Sequence, residues 1–317
     1  MYTNALFAIT CLLCCLSEMQ RGTPEEEVAE LIKQAGGRVV RGISPPENFV
    51  ESVSLIDKAA SDDLLKKMVV LSRIKYLHLD SGRVKNTSLR FVGALKSLEY
   101  LSIEKADISD AGLEHLAGLK KLQKLTLNSV NISGNGFKYL SDLRLKRVWV
   151  LNTKVDDDGI RELTRIATIE DLDLGRTLIT DDGIKLLSRL KGLHHLGLDG
   201  TRVSDVGLQH LAGIPIETLF LSSTSITDGG LKQVARVKSL RCLSLGGTKI
   251  GDAGLKELVS LEGLKELHLN AEPISDRGIE FIVCHRDLEK LSLFNTKISD
   301  AGMTRLRKLL PKCKIES

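Results

Sequence analysis

The sequence predicts an α/β solenoid: a right-handed coil with a curved parallel sheet inside, short helices outside and about eleven turns. Three observations predict it. Apolar residues recur in register at a period of about 24 residues, the spacing of a stacked-repeat architecture. Each unit divides into a strand-like and a helix-like half, and one glycine returns at the same place in most units. No unit in such a chain can bury its apolar stripe alone, so stacked neighbours share one core.

Units open at Leu98, Leu122, Leu145, Ile169, Leu193, Ile216, Leu240, Leu264 and Leu288, and earlier ones at Ile74 and Val50. The first half reads LxxLxL, as in Leu193, Leu196 and Leu198, which is the alternation of a strand with one buried face. The second half is apolar-x-[ST]-D-x-G-L-x-x-L-x-x-L in outline, as in Ile108 to Leu119. Its apolar residues fall at every third position and suit a short helix lying on a core.

Ser109, Thr180, Ser204, Thr227, Ser275 and Ser299 stand where helix N-caps belong. The aspartate after each is expected as first-turn charge against the helix dipole. Gly112, Gly136, Gly159, Gly183, Gly207, Gly230, Gly254, Gly278 and Gly302 share one position near the helix start. Glycine costs helix stability, so its recurrence implies that neighbouring coils approach too closely there for a side chain. Gly200, in contrast, is read as lying in an exposed strand-end turn. Thr153, Thr177, Thr201, Thr224, Thr248 and Thr296 follow the strands, where a hydroxyl can bond backbone groups at the bend.

This pattern resembles the leucine-rich-repeat family with ribonuclease-inhibitor-like architecture over about residues 50–310. The I-[ST]-D-x-G-L-x-x-L subtype resembles short bacterial repeats of planctomycete type and, more distantly, the repeats of F-box leucine-rich-repeat proteins. The resemblance implies a binding module rather than a named activity. The alternative it raises, a substrate-recognition subunit of a ubiquitin ligase, requires an F-box of about forty residues before the repeats, for which residues 18–49 are too short.

The domain reading follows. Residues 1–17 read as a signal peptide, with an apolar run from Ala5 to Leu16 and a small-x-small site at Cys15-Leu16-Ser17. The protein is therefore expected outside the cytoplasm (periplasm, cell surface or secreted), with a cytoplasmic location the alternative. Residues 18–49 read as an N-terminal cap: a helix from Thr23 to Ala35, a Gly36-Gly37 break, a short strand from Arg38 to Gly42 and a turn at Ser44-Pro45-Pro46. The repeats occupy 50–310. Residues 311–317 close the sheet, because Ile315 falls one full repeat after Leu291.

Composition narrows the partners. The charge of +4 is the balance of 45 basic and 41 acidic residues, without a basic cluster, so neither nucleic acid nor an acidic membrane surface is indicated. No transmembrane span is expected, and the chain is read as a monomer. Cys11, Cys14 and Cys15 crowd one greasy segment while Cys242, Cys284 and Cys313 are scattered, so no zinc-finger spacing and no dense disulfide framework results.

Register assigns the concave face. One row runs Ser54, His78, Ser102, Thr126, Trp149, Asp173, Gly197, Phe220, Ser244, His268, Ser292. Beside it runs Ser52, Tyr76, Tyr100, Lys124, Arg147, Asp171, His195, Thr218, Cys242, Glu266, Lys290, and on the other side Ile56, Asp80, Glu104, Asn128, Leu151, Gly175, Asp199, Ser222, Gly246, Asn270, Phe294. The only tryptophan, Trp149, projects here, and exposed aromatics flanked by charge are typical interface anchors. The expected partner-binding residues are Tyr100, Arg147, Trp149, Leu151, Asp171, Asp173, His195, Asp199 and Phe220, with Gly175 and Gly197 leaving a hollow beside Trp149. Acids outnumber bases on these rows, which argues against phosphate docking.

Catalytic patterns are missing from the sequence: no GxGxxG follows a strand, and GxxxxGK[ST], HExxH and GxSxG do not occur. His195 beside Asp171 lacks a third metal ligand, and His285 replaces a helix leucine as a partly buried, hydrogen-bonded residue. The expected function is non-catalytic protein binding, with no metal and no cofactor.

Overall fold

The computed structural model describes residues 23–43 and 49–317. The expected signal peptide and the Ser44-Pro45-Pro46 turn lie outside the described residues. Thirteen strands form one sheet in sequence order: β1 (Arg38–Arg41), β2 (Val50–Ile56), β3 (Tyr76–Asp80), β4 (Tyr100–Glu104), β5 (Lys124–Asn128), β6 (Arg147–Leu151), β7 (Asp171–Asp173), β8 (His195–Gly197), β9 (Thr218–Phe220), β10 (Cys242–Ser244), β11 (Glu266–His268), β12 (Lys290–Ser292) and β13 (Lys314–Glu316). β1 runs antiparallel to β2, and every later pair is parallel.

The register is the one the leucine spacing dictates. Trp149 lies opposite Asp173, Asp171 opposite His195, and Leu291 opposite Ile315. The core-facing leucines, isoleucines and valines of β2 to β12 are buried, and together with the apolar residues of the second halves they make one continuous core. Among the described residues Phe137 is the one aromatic buried completely; the rest of the core is essentially aliphatic. His285, expected as partly buried, is wholly inside, with Nδ1 3.1 Å from the carbonyl of Leu261, and burial lowers its pKa below the ordinary 6.5.

The second halves are short α-helices such as Asp157–Leu163 and Asp228–Val234, or 3-10 turns such as Asp110–Leu116 and Asn135–Leu140. A three-residue apolar period matches the 3-10 repeat, in which residues i and i+3 eclipse. At the N-terminal end, helix α1 (Pro24–Gln34) begins with a capping box between Thr23 and Glu26 and lays Val28, Ala29 and Ile32 over the first coil.

Adjacent coils are tied by their aspartates. Asp157 accepts the backbone N–H of Thr180 at 2.9 Å and its hydroxyl at 2.6 Å. Asp181 does the same for Ser204, Asp205 for Thr227, Asp252 for Ser275 and Asp276 for Ser299. Asn86 performs the task amide-wise for Ser109, and Asp110 reaches four donors on Ser133, Gly134 and Gly136. Asp110, Asp157, Asp181, Asp205 and Asp252 stand in the first turn of their own helices, as expected of charge set against the dipole, and each also reaches the cap of the following helix.

The recurrent glycine belongs to the same contact. A Cβ on Gly207 would stand 2.4 Å from Asp181 Oδ1, and one on Gly230 would stand 2.3 Å from Asp205 Oδ1. The coils do approach too closely for a side chain, and the atom that fills the space is the preceding coil's carboxylate.

Strands end in left-handed corner residues, among them Lys105, Ser129, Asn152, Arg176, Gly200 and Ser223. The corner N–H donates to a carbonyl of the next coil, as from Arg176 to Asp199 at 2.7 Å, which offsets the cost of positive φ. Gly200 is such a corner at φ +65, in the exposed strand-end turn expected for it, a conformation in which any other residue is strained. The threonines past the corner donate back to the strand end, Thr177 to the Leu174 carbonyl and Thr201 to that of Leu198.

Gly207→Ala should therefore lower stability by about 1–3 kcal/mol by overpacking. Gly192→Ala meets nothing nearer than 3.8 Å and should stay within about 0.5 kcal/mol of the parent. Urea unfolding midpoints measure both, and coincident midpoints would refute the interlock.

Candidate functional site

Strands β6 to β9 and the residues just past them place the expected binding residues, Tyr100 of β4 apart, on the open face of the sheet. Trp149 sits between Val148 and Val150, both fully buried, so its indole projects away from the core. It is not simply left in water. Its Nε1 donates to Asp171 Oδ1 at 2.8 Å, and the Arg147 guanidinium lies 4.9 Å from the ring centroid. Arg147 Nε also donates to Asp171 Oδ2 at 2.6 Å. The result is a half-buried tryptophan held by its own strand and the next.

Asp171 is the centre of this arrangement, and it is only 8% exposed. Both of its oxygens are engaged, while His195 Nε2 stands 4.0 Å away. Asp171 thus positions Trp149 and Arg147 from beneath the surface. His195 meets Phe220 edge to face, with centroids 5.2 Å apart. Tyr100, on β4, is separated from β6 by the Lys124 strand and lies apart from this cluster. The hydroxyl of Thr126, lateral to Trp149, is buried without a hydrogen-bond partner among the described residues.

Beside the tryptophan lies a hollow of about 430 Å³ lined by Leu151, Asp173, Gly175 and Asp199 together with Asn128 and Arg176. Its extent differs from the sequence expectation. Gly175 lines the hollow, although a Cβ there would stand 3.2 Å from Asp173 Oδ1 and Leu151 Cδ2; at Gly197 a Cβ would stand 2.4 Å from Asp173 Oδ1, so the Asp173 carboxylate already covers that position.

The acids of this face divide into two kinds. Asp80 pairs with Lys105 at 3.1 Å, and Asp171 pairs with Arg147. Asp173 and Asp199 instead accept backbone N–H groups, from Gly175 at 2.9 Å and Ser222 at 2.6 Å, and form no ion pair among the described residues. Burial raises both carboxyls above the ordinary 3.8; their backbone hydrogen bonds, and Arg176 in the case of Asp199, oppose the rise. The hollow is therefore an acidic, partly desolvated recess next to an aromatic.

Metal-ligating donors converge elsewhere, at Cys242, Glu266 and His268 on β10 and β11. Burial, and secondarily Glu266, pushes the Cys242 thiol up to about 11. Register alone puts all three residues on the concave rows, yet reading each row along its length, and not across to the next, misses the group. The signal is there: residues 242 and 266 share one row, and 268 is two positions along the same strand as 266.

The sequence profile of the family described as Leucine Rich repeat matches residues 94–117 and 238–259. An internalin from Listeria monocytogenes, InlF, is similar in structure at a TM-score of 0.58, with 21% identity over 80% of this chain and 76% of that one. Internalin C2 of the same organism matches at 0.51, again with 21% identity, over 76% of this chain and 92% of its own. No curated protein sequence matches the chain. The chain has the leucine-rich-repeat fold, and two of its coils match the family. Within that class its coil is set by a unit with a serine or threonine cap, an aspartate and a glycine in fixed order. At 21% identity the likeness to the internalins carries the fold and not the ligand.

The raised carboxyls yield a stability test. A carboxyl whose folded pKa exceeds its unfolded value binds its proton more tightly when folded, so stability declines as pH rises from the unfolded through the folded value. Asp199 therefore counts against folding at neutral pH. Asp199→Asn keeps the acceptor for Ser222 and should be more stable than the parent at pH 7, with the gain disappearing below pH 3.8. Thermal melts at the two pH values check this; a variant no more stable than the parent at pH 7 would contradict it.

Proposed function

We propose that the chain is a non-catalytic protein-binding module that engages its partner on the open sheet face around Trp149, with a basic partner side chain entering the Asp173–Asp199 recess. The observation that carries this reading is the pairing of a fixed, half-exposed indole with two carboxylates that no cation of the chain neutralises by an ion pair among the described residues. Aromatic and arginine side chains in well-packed surroundings are the usual anchors of interfaces. A lysine or arginine would relieve the charge of the recess, whereas a phosphate backbone would be repelled. The expected binding residues Leu151, His195 and Phe220 flank this centre and Asp171 holds it in place, while Tyr100 lies a strand away from it.

No helix among the described residues is long and apolar enough to cross a membrane. The apolar run from Ala5 to Leu16 supports an exported protein, and the mature chain should begin after Ser17. N-terminal sequencing of protein made in a bacterial host decides this, and an intact Met1 on the cytosolic product would exclude it.

The binding test compares proteins captured by the purified chain and by two variants, followed by affinity measurement on the partner identified. Trp149→Ala should weaken binding by at least about 2 kcal/mol. The same change leaves Asp171 short of one hydrogen bond and should cost about 1–3 kcal/mol of stability. Asp199→Asn separates the two effects, since it should weaken binding without loss of stability. If binding falls only with unfolding in Trp149→Ala and is unchanged in Asp199→Asn, the interface lies elsewhere.

A further inference from the structure

We propose that Cys242, Glu266 and His268 form a zinc-type metal site on the open face of the sheet, separate from the Trp149 surface. β10 and β11 are hydrogen-bonded neighbours in which Cys242 stands directly opposite Glu266. His268 is two residues beyond Glu266 on the same strand, and the period of two puts both side chains on one face. The three donors thus occupy the corners of a triangle whose backbone positions are fixed by the ladder.

The distances fit. Cys242 Sγ lies 3.9 Å from Glu266 Oε2, His268 Nε2 lies 3.7 Å from the same oxygen, and all three donor atoms fall within 4.8 Å of one another. A tetrahedral zinc with bonds near 2.0–2.3 Å separates its ligands by about 3.3–3.8 Å. Small side-chain rotations close the remaining gap without moving the strands. None of the three is buried or fully exposed, so a cation can reach the site from the open face.

The donor set selects the ion. One thiolate, one imidazole and one carboxylate suit zinc or its spectroscopic stand-in cobalt, and are a poor set for magnesium or calcium, which prefer oxygen alone. Three protein ligands leave a fourth position directed away from the core, open to water or to a side chain of a bound partner. Binding transfers the thiol proton to solvent and changes no oxidation state. Lys290, lateral to Glu266, reaches toward Glu316 at 4.0 Å and holds one positive charge near the group, so a modest affinity is expected.

The test uses the untagged full chain in which Cys11, Cys14, Cys15, Cys284 and Cys313 are serine, so that Cys242 is the sole thiol. Titration with Co²⁺ should give one equivalent bound, with a thiolate-to-cobalt charge-transfer band and the intense visible bands of four-coordinate cobalt, and Zn²⁺ should displace it. Cys242→Ser on this background should abolish the charge-transfer band. His268→Ala and Glu266→Gln should each weaken the metal by about tenfold or more, with far-UV circular dichroism showing the fold retained. Absence of the band from the single-thiol chain would overturn the site and leave Glu266 and His268 as an ion pair beside a thiol. His268→Ala and Glu266→Gln keep the test decisive if Cys242→Ser does not fold, since undiminished affinity in both would equally exclude it.

Discussion

A carboxylate that reaches from one coil to the cap of the next holds this structure in register. The aspartate after each cap accepts the N–H and, where the next cap is serine or threonine, the hydroxyl of that residue, 22 or 23 positions downstream. The same hydroxyl accepts an N–H from its own first helical turn, as Thr180 does from Asp182 and Ser204 from Val206. Capping a helix and joining two coils are therefore one hydrogen-bonded chain. Charge-assisted bonds of this kind exceed neutral ones in strength, and a coil without its predecessor lacks them. Nearest-neighbour coupling of this sort is what gives a repeat protein cooperative stability.

The lock also explains its exceptions. Gly134 stands where the aspartate would be, with φ +99, and a Cβ there would meet the Cα of Gly159 at 2.6 Å. The two coils touch glycine to glycine, and Asp156 caps its own helix instead, through the N–H of Gly159. At Gly251 the hydroxyl is missing, yet Asp228 still takes the backbone N–H at 2.7 Å. The backbone donor is the constant element, and the side-chain donor is added where the residue allows it.

Much of this is legible in the sequence. The repeat period and the LxxLxL alternation place the paired residues of β2 to β13, and the projection of Trp149 follows from that register. Contact across coils is not legible. The aspartate and the glycine each declare themselves by recurrence, but recurrence does not say that the carboxylate of one unit fills the space vacated by a glycine of the next. The same blindness affects the site. Gly197 reads as a gap until the Asp173 carboxylate is seen over it, and Trp149 reads as free until its N–H is seen on Asp171. Side chains of aspartate size or larger cross the strand spacing of about 4.8 Å, so one row cannot be interpreted without its neighbours.

Aspartate does three different things in this chain, and the difference supports the proposed site. In the coil-to-coil lock its charge is answered by backbone and hydroxyl donors in fixed positions. At Asp171 it is answered by Arg147 and the indole of Trp149, and the residue is buried beneath them. Asp173 and Asp199 receive backbone N–H groups but no ion-pair partner among the described residues, and their desolvation is incompletely offset. The fold answers Asp80 and Asp171 with its own cations, Lys105 and Arg147, but forms no such pair at these two. Their raised carboxyls count against folding and keep negative charge beside an aromatic whose orientation is already fixed, with Arg176 offsetting part of the rise at Asp199. Residues that weaken a fold while sharpening a surface fit a binding constraint, which supports the interface proposed on β6 through β9.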